Sequence, residues 1–299
     1  MKRSLLLITL SFLLLPLSQA CDACGCSIGG GGIGLMPAYK SNFIGLGWQM
    51  ARFSGATDFA SRLHDDFQVL ELSARYHLNA RLKLLFFQPY RINTRHFIEG
   101  STRSIQGLSD PRIMASYTLF RDVALGEQSS LFFELGAGLK LPVGKYDPNI
   151  HANDLPENFN IGNGSLGYLL QSNLVITIQK AGIVLATNYQ HNSKSRSDYQ
   201  FGHQLNNQLI LFWEQSLGEN LQLIPNAGLQ AEWIGTDHYA NGMEVHGTGG
   251  KGLFANAGIN LKNDTWLFGI SYSQPLHSNY SNGEVSAEGR LSCQLSYLF

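Results

Sequence analysis

The chain closes on Leu291-Ser-Cys-Gln-Leu-Ser-Tyr-Leu-Phe299. Leu291, Cys293, Leu295, Tyr297 and Phe299 share one parity there, and Ser292, Gln294 and Ser296 hold most of the other. A period of two marks a β-strand with one apolar and one polar face. A strand that uses the final residue still needs a backbone partner on each side. Where those partners lie decides the fold.

The same alternation recurs along the chain. Leu131, Phe133, Leu135, Ala137, Leu139 and Leu141 oppose Glu134 and Lys140. Leu166, Tyr168, Leu170, Leu174 and Ile176 oppose Gln171, Asn173 and Thr177. Leu221, Leu223, Ala227, Leu229 and Trp233 oppose Gln222, Asn226, Gln230 and Glu232, and Trp266, Phe268, Ile270 and Tyr272 oppose Ser271 and Ser273. The pattern predicts about twelve strands, at 40–53, 65–78, 81–92, 110–121, 129–142, 164–178, 181–191, 201–215, 219–233, 252–262, 264–275 and 288–299. Short turns at 78–80, 180–181, 216–220 and 262–264 alternate with longer polar stretches at 54–64, 93–109, 143–163, 192–200, 234–251 and 276–287. Short turns at one rim and long loops at the other are the plan of an all-β, transmembrane antiparallel up-and-down barrel, with its short turns periplasmic and its long loops extracellular. In hydrocarbon every backbone N–H and C=O needs an internal partner, so the last strand must reach round to the first. Phe299 then falls in the interfacial aromatic girdle. The alternative for such a pattern is a soluble β-sandwich, against which the aromatic strand ends and the regular loop rhythm argue.

Composition agrees with a membrane barrel. Charged residues make up 14% of the 299 residues, against roughly 25% in soluble chains. Hydrophobic residues reach 44%, yet no internal run is long enough for a spanning helix. A net charge of −1 gives no reason to expect nucleic acid as a partner. Lys2 and Arg3 precede an apolar stretch from about Leu5 to Leu17, and Ser18-Gln19-Ala20 supplies small residues before Cys21. These residues predict a secretory signal peptide over 1–20. A Cys/Gly-rich periplasmic or lumen segment is expected over 21–39 and the barrel over 40–299. The expected location is the outer membrane of a Gram-negative bacterium. The expected partners are its lipids, the barrel-assembly machinery, whose recognition signal the terminal strand resembles, and a small-molecule solute.

Three local stretches carry a family resemblance: Gly107-Leu-Ser-Asp110 with Tyr117-Thr-Leu119, Gly138-Leu-Lys-Leu-Pro-Val-Gly144-Lys-Tyr-Asp147, and Gly162-Asn-Gly164-Ser165. They resemble the meta-pathway phenol-degradation, transporter-like family of outer-membrane β-barrel proteins. The match covers the middle third of the chain, the remainder only by strand rhythm. The resemblance implies a transport role for a small solute of hydrophobic or aromatic character and brings no catalytic residues. Pro142-Val143-Gly144 also reads physically as a strand terminator, because proline cannot donate to the ladder.

Cys21, Cys24 and Cys26 form a CxxCxC cluster before a run of glycines, and only Cys293 lies elsewhere, on the lipid parity. Three readings stay open: lipidation at Cys21, a disulfide with one free thiol, or a soft-metal site for copper or zinc completed by outside ligands. Without a Lys-Ser/Thr ending the glycine run is no phosphate loop. Most histidines fall in expected outer loops or their edges (His64, His96, His151, His191, His238, His246, His277), and His77 and His203 in expected strands. His238, Met243, Glu244 and His246 include metal-donor types without compact spacing.

Inward parity carries amides and charges, of which Glu71, Arg75, Glu134, Lys140 and Glu232 are the candidate lumen and selectivity residues. They line a selective path or neutralise one another in a filled interior. No catalytic motif groups a nucleophile with histidine, so the expectation is a non-enzymatic channel or transporter-like barrel without a resident cofactor. The alternatives are a metal-handling barrel, an outer-membrane hydrolase and a structural or adhesive barrel.

Overall fold

The computed structural model describes residues 41–56 and 62–299. The expected signal peptide, Cys21, Cys24, Cys26 and the glycine run lie outside the described residues. Alternation becomes strand throughout: β1 (Phe43–Ala56), β2 (Arg62–His77), β3 (Leu82–His96), β4 (Thr102–Leu108), β5 (Arg112–Gly126), β6 (Ser129–Lys140) and β7 (Gly167–Ile178). There follow β8 (Ala181–Asn192), β9 (Gln204–Trp213), β10 (Gln215–Ser216), β11 (Gln222–Ile234), β12 (Gly250–Lys262), β13 (Trp266–Tyr280) and β14 (Val285–Leu298). Each pairs antiparallel with its sequence neighbours, except that β4 and β5 share β3 and β10 continues the stave of β9. The result is a closed barrel of twelve staves.

Closure runs through the terminal strand. β14 pairs with β13 on one side and β1 on the other, in a register that sets Phe43 opposite Leu298 and Leu46 opposite Leu295. Phe299 N–H donates to the Asn42 carbonyl at 3.1 Å. The stave of β4 and β5 breaks at Ser109-Asp110-Pro111, where proline lacks an N–H. Its carbonyl instead accepts from Leu141 N–H at 2.9 Å.

The apolar parity faces outward. Ile44, Leu46, Leu72, Leu135, Leu170, Leu211, Leu229, Ile259 and Ile270 are all exposed, as lipid contact requires. Tyr76, Tyr117, Trp213, Trp266, Tyr297 and Phe299 are exposed at the short-turn rim, with Trp266 and Tyr297 rings 5.2 Å apart and Tyr297 and Phe299 6.1 Å apart. This is an aromatic girdle. Cys293 stands opposite outward Trp48 and Ile270, on the parity expected.

Two expected long loops are instead hairpins. Residues 93–109 contain the end of β3, the turn 97–101 and β4, with Thr94 facing Ser104. Residues 276–287 contain the ends of β13 and β14 around a one-turn 3-10 segment, Ser281–Gly283. The staves run past the hydrocarbon at the long-loop rim, where outward side chains meet water. Apolar alternation stops there although strand pairing continues. His203 also lies just before β9 rather than within a strand.

The interior is layered. Phe43, Phe132, Val184, Ile210, Phe212, Ile224, Leu267 and Leu298 join in one apolar cluster toward the short-turn end. At the opposite end Phe53, Phe67, Val69, Phe254 and Tyr280 surround Ile150, Leu155 and Phe159 from the segment 141–166. Close strand packing uses glycine: a Cβ on Gly138 would stand 2.3 Å from the Ile113 carbonyl oxygen and 2.8 Å from Met114 Cα, whereas one on Gly47 would meet nothing nearer than 3.9 Å. Gly138→Ala therefore strains the β5–β6 pair by about 1–3 kcal/mol. It should lower the temperature at which the folded, fast-migrating gel form is lost. Gly47→Ala should leave that temperature within a degree or two of wild type.

Candidate functional site: a charged lumen with an off-centre cavity

Between the two apolar clusters the inward positions carry charge. Seven basic side chains (Arg75, Lys83, Arg91, Arg95, Arg112, Lys140, Arg290) and five acidic ones (Asp65, Glu71, Asp110, Glu134, Glu232) project from the wall or its break. Small residues let the pairs reach across strands. Lys83 on β3 is level with Ser116 on β5, which is level with Gly136 on β6, and Lys83 Nζ reaches Glu134 Oε2 at 2.5 Å. Asn173 Nδ2 donates to the other Glu134 oxygen at 2.8 Å. Glu71 is bound by Arg112 Nη2 at 2.5 Å, and that guanidinium lies 4.9 Å from the Phe87 ring centre.

The most enclosed pair is Glu232 with Arg290. Arg290 donates from Nη1 and Nη2 at 2.8 and 2.6 Å, Tyr280 OH also donates to Glu232, and the guanidinium sits 3.9 Å above the Phe254 ring. The two residues are 4% and 2% exposed, so only this matched geometry makes burial of both charges tolerable. Asp65 receives two bonds from Arg95, at 2.8 and 2.7 Å. Arg75 donates to the Ser41 carbonyl at 2.9 and 2.6 Å and covers the Phe43 ring at 4.9 Å.

The five lumen candidates from the sequence thus project from the inner wall, but not as one ring. Glu71, Arg75, Glu134, Lys140 and Glu232 are spread over several local networks. Their partners Lys83, Asp110, Arg112 and Arg290, the separate pair Asp65–Arg95 and the further cation Arg91 were missed. On β3 both faces read as apolar through Leu84-Leu85-Phe86-Phe87, which hides the parity of Lys83 and Arg91. Arg290 was within reach, because extending the Ser292, Gln294 and Ser296 parity by one step finds it.

The three stretches that carry the family resemblance converge. Asp110 Oδ1 accepts from Gly144 N–H at 2.9 Å and Oδ2 from Asn163 N–H at 2.8 Å, and Ser109 Oγ donates to the Ile161 carbonyl. A Cβ on Gly162 would stand 2.6 Å from both Asp110 Oδ1 and the Gly144 carbonyl oxygen. The glycines are therefore demanded by a knot that anchors both ends of the segment 141–166 to the wall break. Lys140 Nζ reaches the same aspartate at 3.6 Å.

Beside this knot a cavity of about 90 Å³ is lined by Arg91, Asp110, Arg112, Met114, Lys140, Asn188, Gln190 and Asn206, among others. Asn206 is 7% exposed, and neither its amide oxygen nor its amide nitrogen has a protein partner. Leu85, Phe87, Met114 and Leu169 form an apolar patch on the adjoining wall.

Above the wall, the outer loops enclose a wider recess of about 540 Å³, lined by Tyr146, His151, Glu157, Tyr199 and Tyr239 among others. Asp237 straps these loops, accepting from Tyr199 OH and Gly202 N–H, each at 2.6 Å. Burial pushes its carboxyl up to about 6, against the two hydrogen bonds that favour the charged form. His191 and His203 rings stack at 4.1 Å. Among the described residues no three His, Cys, Asp or Glu side chains converge as a metal site, so His238, Glu244 and His246 are not brought together as one.

No family model and no curated protein matches the chain. Solved structures do. An outer membrane channel from Pseudomonas putida F1 superposes with a TM-score of 0.65 at 15% identity, covering 87% of this chain and 96% of its own. The translocator domain of the autotransporter NalP from Neisseria meningitidis gives 0.48 at 11% identity over 91% and 93%, and the KdgM porin 0.37 at 10% over 85% and 99%. At such identities the likeness is one of fold, and the fold is that of an outer-membrane β-barrel.

Removing one member of the buried Glu232–Arg290 pair strands the other. Glu232→Ala should cost about 3–5 kcal/mol in urea unfolding of the detergent-solubilised barrel. Replacing both, with Glu232→Leu and Arg290→Met, should recover most of that loss.

Proposed function

We propose that the chain is an outer-membrane channel for a small solute, held shut in this conformation by the segment 141–166. The observation that carries the reading is the buried Asn206 amide, unpartnered at both polar atoms and opening on the cavity. An interior built only as a core pairs or removes such groups, whereas a hydrated path keeps them for water or solute.

The gate is the stretch around Ile150, Leu155 and Phe159. Phe159 packs on Phe67 with ring centres 5.0 Å apart, and its carbonyl accepts from Asn93 Nδ2 at 2.9 Å. Ile150 and Phe159 are fully buried against wall aromatics. The contacts are side-chain packing plus few hydrogen bonds, while the Asp110 knot fixes both ends of the segment. Its middle is the part that moves when the path opens. The apolar patch Leu85, Phe87, Met114 and Leu169 supports a solute with a hydrophobic or aromatic body, in line with the family resemblance.

Planar-bilayer recordings test the gate. Replacing residues 148–160 by a short Gly-Ser bridge should raise single-channel conductance several-fold over wild type. Equal conductance in the two proteins would remove the gate, and no solute flux through either would remove the channel.

A further inference from the structure

The buried acids of the molecule fall into two groups. Asp65, Asp110, Glu134 and Glu232, on the lumen wall or its break, each have an arginine or lysine nitrogen at 3.6 Å or closer. Glu157 and Asp237, in the outer loops, have no such partner among the described residues. Glu157 is 5% exposed, and its side chain meets only the Asn160 amide at 3.0 Å and His151 at 3.5 Å. Asp237, also 5% exposed, is held by the Tyr199 hydroxyl and the Gly202 N–H. Burial raises its carboxyl above the usual range, and the charge of Glu157 adds to the rise. Carboxylates are seldom buried without a fixed cation, so this end of the molecule is short of positive charge.

The recess of about 540 Å³ at the long-loop mouth adjoins both acids. Glu157 lines it, Asp237 stands behind the lining Tyr199, and no lysine or arginine is on its lining. Three tyrosine rings are. Tyr199 and Tyr239 meet at 81° with centres 6.2 Å apart, and Phe201 packs edge-on against Tyr146 and Tyr199 at 6.3 and 5.1 Å. Hydrogen bonds of Tyr146 OH with Ser197 and of Tyr199 OH with Asp237 hold two of the rings in place, while Tyr239 is 48% exposed.

We infer that this recess binds a small organic cation, an alkylated ammonium held among the rings of Tyr146, Tyr199 and Tyr239 with Glu157 as its counter-charge. Aromatic faces are negative and attract such cations, most strongly where water is partly excluded. An anion would meet Glu157 with no lysine or arginine on the lining to offset it. A divalent metal ion would want several hard donors, and no group of three His, Cys, Asp or Glu converges among the described residues. The volume lies within the range of about 300–1,000 Å³ found for small-molecule sites. The site belongs to the outer loops and goes beyond the channel reading without depending on it.

Calorimetry on the full-length protein in a maltoside detergent, which carries no ammonium group, tests the site with choline as the probe. Wild type should bind choline about tenfold or more tighter than dimethylbutanol, its uncharged isostere with carbon in place of nitrogen. Glu157→Gln can still accept from Asn160 but loses the charge, and should weaken choline about tenfold. Tyr239→Leu should weaken it several-fold and Tyr239→Phe should retain most of the affinity, because the ring and not the hydroxyl makes the contact. All three variants should keep the heat-modifiable gel shift. Equal affinity for the two probes, no choline binding, or unchanged binding in both Glu157→Gln and Tyr239→Leu would overturn the site. Choline binding without solute flux through wild type or the 148–160 replacement would uphold the site and remove the channel alone.

Discussion

A backbone N–H or C=O in hydrocarbon has no water to turn to, and this one constraint organises the molecule. It obliges β14 to pair with β1, which it does from Phe43 opposite Leu298 up to Gly55 opposite Val285. Closure in turn divides every stave into a lipid face and a lumen face. Once the outside is uniformly apolar, all polar inventory is forced inward, and the lumen chemistry follows from that partition.

How the lumen handles this inventory is the second theme. Twelve staves enclose less room than the 16–18 strands of open porins. Charges that face inward are therefore close enough to pair across one or two strands, as Lys83 does with Glu134 over Ser116. The pairs brace the wall, and Arg91, Arg112 and Lys140 stand with Glu71 and Asp110 where the stave of β4 and β5 breaks. The break itself is a Pro111 effect, and the side chains of Ser109 and Asp110 tie down the segment that fills the long-loop mouth. Anchor, cavity and proposed gate thus share one origin in a local failure of strand pairing.

Much of this was legible in the chain. Strict alternation in Leu131–Leu141 and Leu291–Phe299 located β6 and β14 and assigned their faces, because lipid leaves no tolerance for polar side chains on one parity. Legibility faded where lipid ends: β4 and the tips of β3, β13 and β14 carry Thr94, Ser104 and Asn279 outward and read as loops. It failed on β3, whose lumen face is itself apolar at Leu85 and Phe87. Inward direction could be read for Glu71 and Glu134, but not their partners, since pairing across strands depends on register and on small residues between. The inward fold of Ile150, Leu155 and Phe159 has no periodic signal at all.

The seam between first and last strands is the most direct point of attack. With the native cysteines replaced by serine, Leu46→Cys and Leu295→Cys introduce thiols at directly opposed outward positions of β1 and β14. Opposed residues in an antiparallel pair have Cα atoms about 4.5–5.5 Å apart, within disulfide range. Mild oxidation of the membrane-inserted protein should give an intramolecular crosslink in high yield at this pair, and little when Leu46→Cys is combined with Ile270→Cys on β13. Absence of the first crosslink, or its formation only between separate molecules, would contradict a barrel closed by its own ends.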